Sequence, residues 1–157
     1  MPAARFALAV ANGDITANIM INTLEYNWLQ LLALFYSNVI MYLQNCPHSS
    51  EYSLPSSWPG KTECAGRIIR LSRHAALSRP NSPQAIWPEI LFRAGIETED
   101  PIYQSWVLET FMRAEYWGPN LRKTRLLYER IIQRRRVVNE HVDIISQMRD
   151  MGGPFVI

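Results

Sequence analysis

The sequence predicts an all-α protein, an irregular bundle of about five to six helices in a single domain over residues 1–157. Within each long segment, apolar residues recur at spacings of three and four, and capping residues, prolines and glycines separate the segments. Neither the alternation of a strand nor an internal repeat of roughly 20–50 residues occurs. The apolar content of 48% is sufficient for a packed core.

The first element is a long amphipathic helical region over residues 15–45, with Asp14 as its cap and Pro47 at its end. No charged residue occurs from 26 to 50, and the amide and hydroxyl side chains fall on one face at about 100° per residue. The opposite face is predicted to be buried, and it consists of Trp28, Leu32, Phe35, Val39, Tyr42 and Leu43. Polar residues interrupt the segment too often for a membrane span, which needs roughly 20 apolar residues.

Residues 46–63 are predicted to form a loop, because they include five serines and three prolines and show no apolar period. A second helix is predicted over 64–78. Its three arginines are spaced by three residues and indicate a solvated face. The residues predicted to face inward are Ile68, Ile69, Leu71, Ala75 and Ala76.

The third helix has two prolines near its predicted beginning. Ser82 can cap it and Pro83 can occupy its first position, where the missing N–H is not needed. Pro88 then shapes the entry of the helix, and Trp87 belongs to its buried stripe. Gly95 is predicted to end the helix in a left-handed conformation.

The remaining helices begin at acidic or amide caps. Asp100, followed by a proline, is predicted to cap a fourth helix over 102–116, and Asn120 a fifth from 121 to about 138. A short last helix is predicted over 142–151, where two glycines and a proline end it and an apolar tail follows.

Aromatic residues and uncharged amides at helical spacing indicate either a packed core, the usual arrangement, or an apolar pocket between helices. A pocket of this composition would bind a small apolar molecule. The candidate lining residues are Asn27, Trp28, Gln30, Phe35, Asn38, Tyr42, Trp87 and Trp106.

The fifth helix carries seven bases and one acid, and two interpretations are open. It can contact nucleic-acid phosphates, with Arg134, Arg135 and Arg136 as the candidates. Alternatively, it has an ordinary solvated face whose last arginines complement the negative C-terminal end of the helix. The second interpretation is favoured, because most of the bases lie opposite the apolar stripe.

Metal, disulfide and cofactor patterns are missing from the sequence. Cys46, His48, Cys64 and His74 lack the close ligand pairs of structural zinc, so no metal site is predicted. Two cysteines indicate free thiols in a reducing compartment, and the apolar stretch near the start is too short for a signal peptide, so secretion is not expected. No phosphate-binding loop, nucleophile elbow or metalloprotease motif occurs, and no cofactor is predicted.

The order of motifs over residues 86–157 resembles the C-terminal part of the fungal-specific transcription factor domain, and 24–45 resembles a buried helix of that family less specifically. The matching residues are Trp87-Pro88, Gly95-Ile96-Glu97, Trp106, Gly118-Pro119-Asn120, Met148-Arg149-Asp150-Met151-Gly152 and Phe155-Val156-Ile157. The regulatory region of that family is longer than this chain, and its DNA-binding zinc cluster needs six cysteines, whereas two are present here. The resemblance therefore does not imply that this chain binds DNA directly.

The resemblance implies a helical regulatory or interaction module, with residues 64–157 as the segment that resembles the regulatory domain. Its expected partners are proteins of the transcription machinery or a small apolar effector, and its expected location is the nucleus. The alternative is a small standalone helical enzyme of fungal secondary metabolism, a cofactor-independent cyclase or isomerase located in the cytoplasm. Such chemistry needs a shaped cavity more than a motif.

Overall fold

The computed structural model describes residues 15–46, 57–78, 87–138 and 142–153, with side chains described except at 15–21 and 138. Within these ranges the chain forms six α-helices and no strand, which confirms the all-α prediction. The helices are α1 (Ile15–Asn45), α2 (Lys61–Ser78), α3 (Pro88–Glu97), α4 (Pro101–Ala114), α5 (Pro119–Val138) and α6 (Ile144–Asp150), with a 3-10 turn, Glu115–Trp117, between α4 and α5.

Two helix entries follow the expected local chemistry. The Asp100 carboxylate accepts hydrogen bonds from the backbone N–H groups of Ile102 and Tyr103, at 2.8 Å and 3.4 Å, and this confirms the predicted cap of α4. The Asp143 carboxylate caps α6 by accepting from the N–H of Ile145 at 3.0 Å. Helix α2 begins three residues before the predicted start, at Lys61, and shortens the predicted loop.

Asn120 does not cap the fifth helix, and this prediction is wrong. Helix α5 begins at Pro119, so that Asn120 already lies in its first turn. The carbonyl group of Gly118 accepts a hydrogen bond from the N–H of Arg122 at 3.3 Å, which is the first bond of the helical ladder. A proline at the first position explains the earlier start.

The beginning of α3 also differs from the prediction. The helix begins at Pro88, and Trp87 lies before it with φ 42° and ψ 71°, in the left-handed region. The predicted cap at Ser82 and the predicted first position at Pro83 fall outside the described residues, but a helix continuing through Trp87 is excluded by these angles. A residue before proline is disfavoured in the helical region, which is the physical reason for the break.

Gly95 does not end α3, because the helix continues to Glu97 and Gly95 has no positive φ. It is buried, and the side chain of Tyr128 on α5 packs directly against it. A Cβ atom at Gly95 would lie 2.7 Å from Cε2 of Tyr128 and 2.9 Å from Cγ1 of Val107. The glycine therefore serves close packing between helices rather than termination.

Among the residues that the structure describes, the core forms two clusters, and both include residues of α1. The larger cluster joins the C-terminal half of α1 to the other helices, and its largest fully buried side chains are Ile40, Ile68, Ile69, Leu91, Val107, Phe111, Leu127, Tyr128 and Ile131. The smaller cluster joins the preceding part of α1 to α2 and to Trp87. Helix α1 is therefore held along one side by packing.

Candidate interaction surface

Helix α1 packs chiefly on α2, and the face that it buries coincides only in part with the predicted one. Its buried residues are Tyr26, Ala33, Ser37, Val39 and Ile40. Of the six residues predicted to be buried, Val39 is buried and Leu32, Tyr42 and Leu43 are half-buried, whereas Trp28 and Phe35 are exposed. The physical reason is that small side chains such as Ala33 and Ser37 let the backbones of two helices approach closely, which a count of large apolar residues overlooks.

The opposite face of α1 carries a second set of large apolar residues that remains in contact with solvent. Leu24, Trp28, Leu31 and Phe35 follow one another at spacings of four, three and four, so they lie along one line of the helix. Leu34 lies beside this line, and Trp58 extends it with its ring centroid 5.8 Å from that of Phe35. We name the six residues the outer stripe: Leu24, Trp28, Leu31, Leu34, Phe35 and Trp58.

The exposed area of the outer stripe is large for a chain of this size. Its members are between 41% and 62% exposed, with Trp28 the most exposed. An aromatic side chain buries roughly 150–250 Å² when it is fully covered and a leucine less, so half exposure of three aromatic residues and three leucines corresponds to at most about 600 Å² of accessible apolar surface. This area lies within the range of the largest patch on a typical monomer, about 300–600 Å², and such patches mark interaction sites.

The outer stripe is electrically neutral. Glu25 is the only charged residue of α1, and its carboxylate lies 2.9 Å from Nε2 of His74 on α2. The exposed polar side chains beside the stripe are the amides Asn27, Gln30 and Asn38. A partner would therefore meet apolar surface bordered by uncharged hydrogen-bonding groups.

The eight predicted pocket residues do not come together. Asn27, Trp28, Gln30, Phe35 and Asn38 are exposed on α1, and Tyr42 is half-buried there. The half-buried Trp106 packs against the larger core cluster. Trp87 is buried, and its indole N–H donates to the hydroxyl group of Tyr26 at 2.8 Å. The aromatic residues thus divide between core and surface.

A groove forms elsewhere, between the C-terminal end of α1, helix α3 and helix α6, with a volume of about 500 Å³. Its apolar lining consists of Met41, Phe92, Ile96, Ile144 and Met148, and its polar lining of Gln44, Asn45, Glu89, Arg93 and Glu97. The amide of Gln44 donates to Oε1 of Glu97 at 2.8 Å across one side. The sequence pattern does not indicate this groove, because its residues come from three separate helices.

The basic residues of α5 are largely occupied within the molecule. Arg135 donates to the carbonyl oxygen of Ile96, and Arg136 donates to Oε1 of Gln104 at 3.2 Å. Arg125 pairs with two carboxylates, at 3.0 Å and 2.8 Å. Arg134 is exposed. Because Arg135 binds one of the last carbonyl groups of α3, the contact stabilises the negative end of that helix.

Both cysteines are free thiols, as the sequence predicts, and their environments differ. Cys64 is buried in the core, and its Sγ lies 3.6 Å from the carbonyl oxygen of Pro59. Burial raises the pKa of the Cys64 thiol, because an apolar environment disfavours the thiolate. Cys46 is half-buried at the end of α1. These positions favour a structural role for Cys64.

In the part of the chain that the structure describes, no group of three or more His, Cys, Asp and Glu side chains is arranged to hold a metal ion. Of the described helices, none combines the length and the apolarity that crossing a bilayer requires. Comparisons with protein-family models, with curated proteins and with solved structures each find no match for this chain.

Proposed function

We propose that this protein is a regulatory or interaction module that binds another protein through the outer stripe of α1. The observation that supports the proposal is the exposure of five large apolar residues on one side of α1, extended by Trp58 from the segment before α2, while the other side of α1 is already packed. An exposed apolar patch of up to about 600 Å² is unfavourable in water unless it is covered, and binding of a partner would remove that cost.

The residue types of the stripe suit this role. Tryptophan is enriched among the residues that contribute most to binding at protein interfaces, and aromatic residues are enriched there in general. Trp28 projects from the middle of the face with 62% of its surface exposed, and Phe35, about two turns further along α1, forms an aromatic pair with Trp58. We expect Trp28 and Leu31 to contribute most to binding, since they lie centrally in the stripe.

The resemblance of residues 86–157 to the fungal transcription factor domain extends the proposal to transcriptional regulation in the nucleus, through contacts with other proteins. Direct DNA contact through α5 is not part of the proposal, since Arg125, Arg135 and Arg136 are bonded within the molecule. A helix that reads or binds DNA needs basic side chains that are available to phosphates.

A reporter assay tests this proposal. The full chain is fused to an unrelated DNA-binding domain, and transcription of a reporter gene carrying its binding site is measured in yeast. We expect the fusion to change reporter output, and Leu31→Glu to abolish the change by placing a charge in the stripe. Leu77→Glu is the matched control, because Leu77 is an exposed leucine on α2, with 82% of its surface accessible. A fusion that folds but leaves transcription unchanged would contradict the regulatory function.

A second candidate function is the binding of a small apolar effector in the groove between α1, α3 and α6. Its volume of about 500 Å³ lies within the range of ligand sites, roughly 300–1,000 Å³. The substrate of the alternative, a cyclase or isomerase, would fit the same groove. Because the carboxylate of Glu97 and the amide of Gln44 border an apolar lining, an apolar ligand with one hydrogen-bonding group fits best.

Titration with an apolar fluorescent probe tests the groove. Met41→Trp is expected to fill part of the groove and to raise the dissociation constant of the probe at least about tenfold, which corresponds to a loss of about 1.4 kcal/mol in binding free energy. Met112→Trp is the matched control, because Met112 is an exposed methionine on α4 and is not among the residues that line the groove. Equal weakening by both variants, or no binding to the unmodified chain, would count against an effector site.

A further inference from the structure

We propose that the partner of the outer stripe is a second copy of this chain, so that two α1 helices pack against each other across a two-fold axis. This inference rests on the proposed function, since it takes the stripe to be an interface and identifies its occupant. In a two-fold interface the same surface patch is contributed by both copies, so the patch has to be complementary to itself. The outer stripe meets three requirements of self-complementarity.

The first requirement is electrostatic. A patch that carries charge of one sign repels its own copy, and like charges brought together cost several kcal/mol. The outer stripe contains no charged residue, and Glu25, the only charge on α1, is already held by His74 at 2.9 Å. The stripe residues themselves therefore bring no like charges together when two copies pair, whereas the neutral stripe offers no charge by which it could select an oppositely charged partner.

The second requirement is spacing. Leu24, Trp28, Leu31 and Phe35 occupy successive positions of a heptad seam, in which apolar residues alternate at spacings of four and three. Asn38 and Tyr42 continue the same series towards the end of the helix. Two helices with equal seams pack knobs into holes at a shallow crossing angle. From Leu24 to Tyr42 this series extends over about 27 Å of α1, or about five turns.

The third requirement is area. A stable interface buries about 800 Å² on each partner. The outer stripe supplies up to about 600 Å² of this as apolar surface. The exposed amides Asn27, Gln30 and Asn38 border the stripe and supply polar rim surface, as interfaces usually contain around an apolar centre. One α1 face therefore has the size and the composition of one half of a dimer interface.

Sedimentation of the full chain tests the inference. Analytical ultracentrifugation at concentrations from about 1 to about 200 µM should show a species of twice the chain mass of 18.2 kDa. Leu31→Glu places two carboxylates at the centre of the paired stripes and should raise the dimer dissociation constant at least about 30-fold. Leu77→Glu, on the exposed leucine of α2, should leave the constant unchanged.

Circular dichroism of each variant establishes that helix content and melting temperature are retained. Trp28→Gln provides a second variant in the stripe, should Leu31→Glu fail to fold. A wild-type chain that sediments at 18.2 kDa throughout would overturn the inference, and so would equal weakening by Leu77→Glu and Leu31→Glu.

The two proposals fail in different ways. If the chain is monomeric but Leu31→Glu still abolishes reporter output, the stripe binds a different protein, and only the second-copy inference is lost. If the chain dimerises through the stripe and the reporter stays silent, the inference stands and the transcriptional function is lost.

Discussion

Replacing Gly95 by alanine tests the close contact between α3 and α5. In an exposed helix interior this change is favourable by about 1 kcal/mol, because alanine restricts the unfolded chain and favours the helix. At Gly95 the added Cβ would lie 2.7 Å from Cε2 of Tyr128, 2.9 Å from its hydroxyl oxygen and 2.9 Å from Cγ1 of Val107. All three distances are shorter than any normal carbon contact, about 3.5–4.0 Å.

The expected cost follows from what has to move. Tyr128 is fully buried, and its single hydroxyl proton is shared between the carbonyl oxygens of Gly95 and Gln104, which both lie 3.3 Å from the hydroxyl oxygen. Displacing the ring strains the packing and weakens these bonds. Overpacking of a core costs about 1–3 kcal/mol and a lost hydrogen bond about 1 kcal/mol, so we expect a net loss of about 1–3 kcal/mol after the helix gain.

Urea unfolding followed by circular dichroism measures the loss, and the melting temperature should fall by about 2–4 °C for each kcal/mol. Gly66→Ala is the matched control, since Gly66 is also a buried helical glycine. A Cβ there meets its nearest neighbours at 3.5 Å and 3.6 Å, which are ordinary contacts, and stability should stay equal or rise by up to about 1 kcal/mol. Wild-type stability of Gly95→Ala, or an equal loss in both variants, would show that the contact between Gly95 and Tyr128 does not limit the packing of α3 on α5.

Three further experiments test other features of the structure. Burial raises the pKa of Tyr128 above its ordinary value of 10.0, so its contribution to stability is complete below about pH 10 and is lost at higher pH, by up to about 1.4 kcal/mol per unit. In urea titrations between pH 9 and 11, Tyr128→Phe should therefore flatten the alkaline loss, and the exposed control Tyr116→Phe should not. Cys46 should react with a thiol reagent in the native protein at pH 8, whereas Cys64 should react only on unfolding; equal rates would contradict its burial. Asp100→Ala removes the cap of α4 and should cost about 1 kcal/mol in urea unfolding, and an unchanged midpoint would show that the cap contributes little.

The candidate surface could be located only in part from the sequence. The sequence indicates that α1 carries Trp28 and Phe35 beside uncharged amides, and these residues do belong to or border the outer stripe. It predicts that Trp28 and Phe35 are buried, however, and the structure leaves both exposed while it buries Val39 of the same predicted face. The pattern that predicts the outer stripe is the spacing of Leu24, Trp28, Leu31 and Phe35, which marks a second apolar line on α1.

The sequence by itself determines that this chain is helical and where several helices begin. Asp100 caps α4 and Pro101 occupies its first position. Capping and the preference for proline at this position both act within one turn of the backbone, so distant residues do not affect them. Only the tertiary structure decides which face of α1 is covered and why position 95 is a glycine. Helix α1 has apolar residues on two faces, and the position of α2 selects between them. Gly95 is required by Tyr128, which lies 33 residues away, and no local pattern can express a contact of that kind.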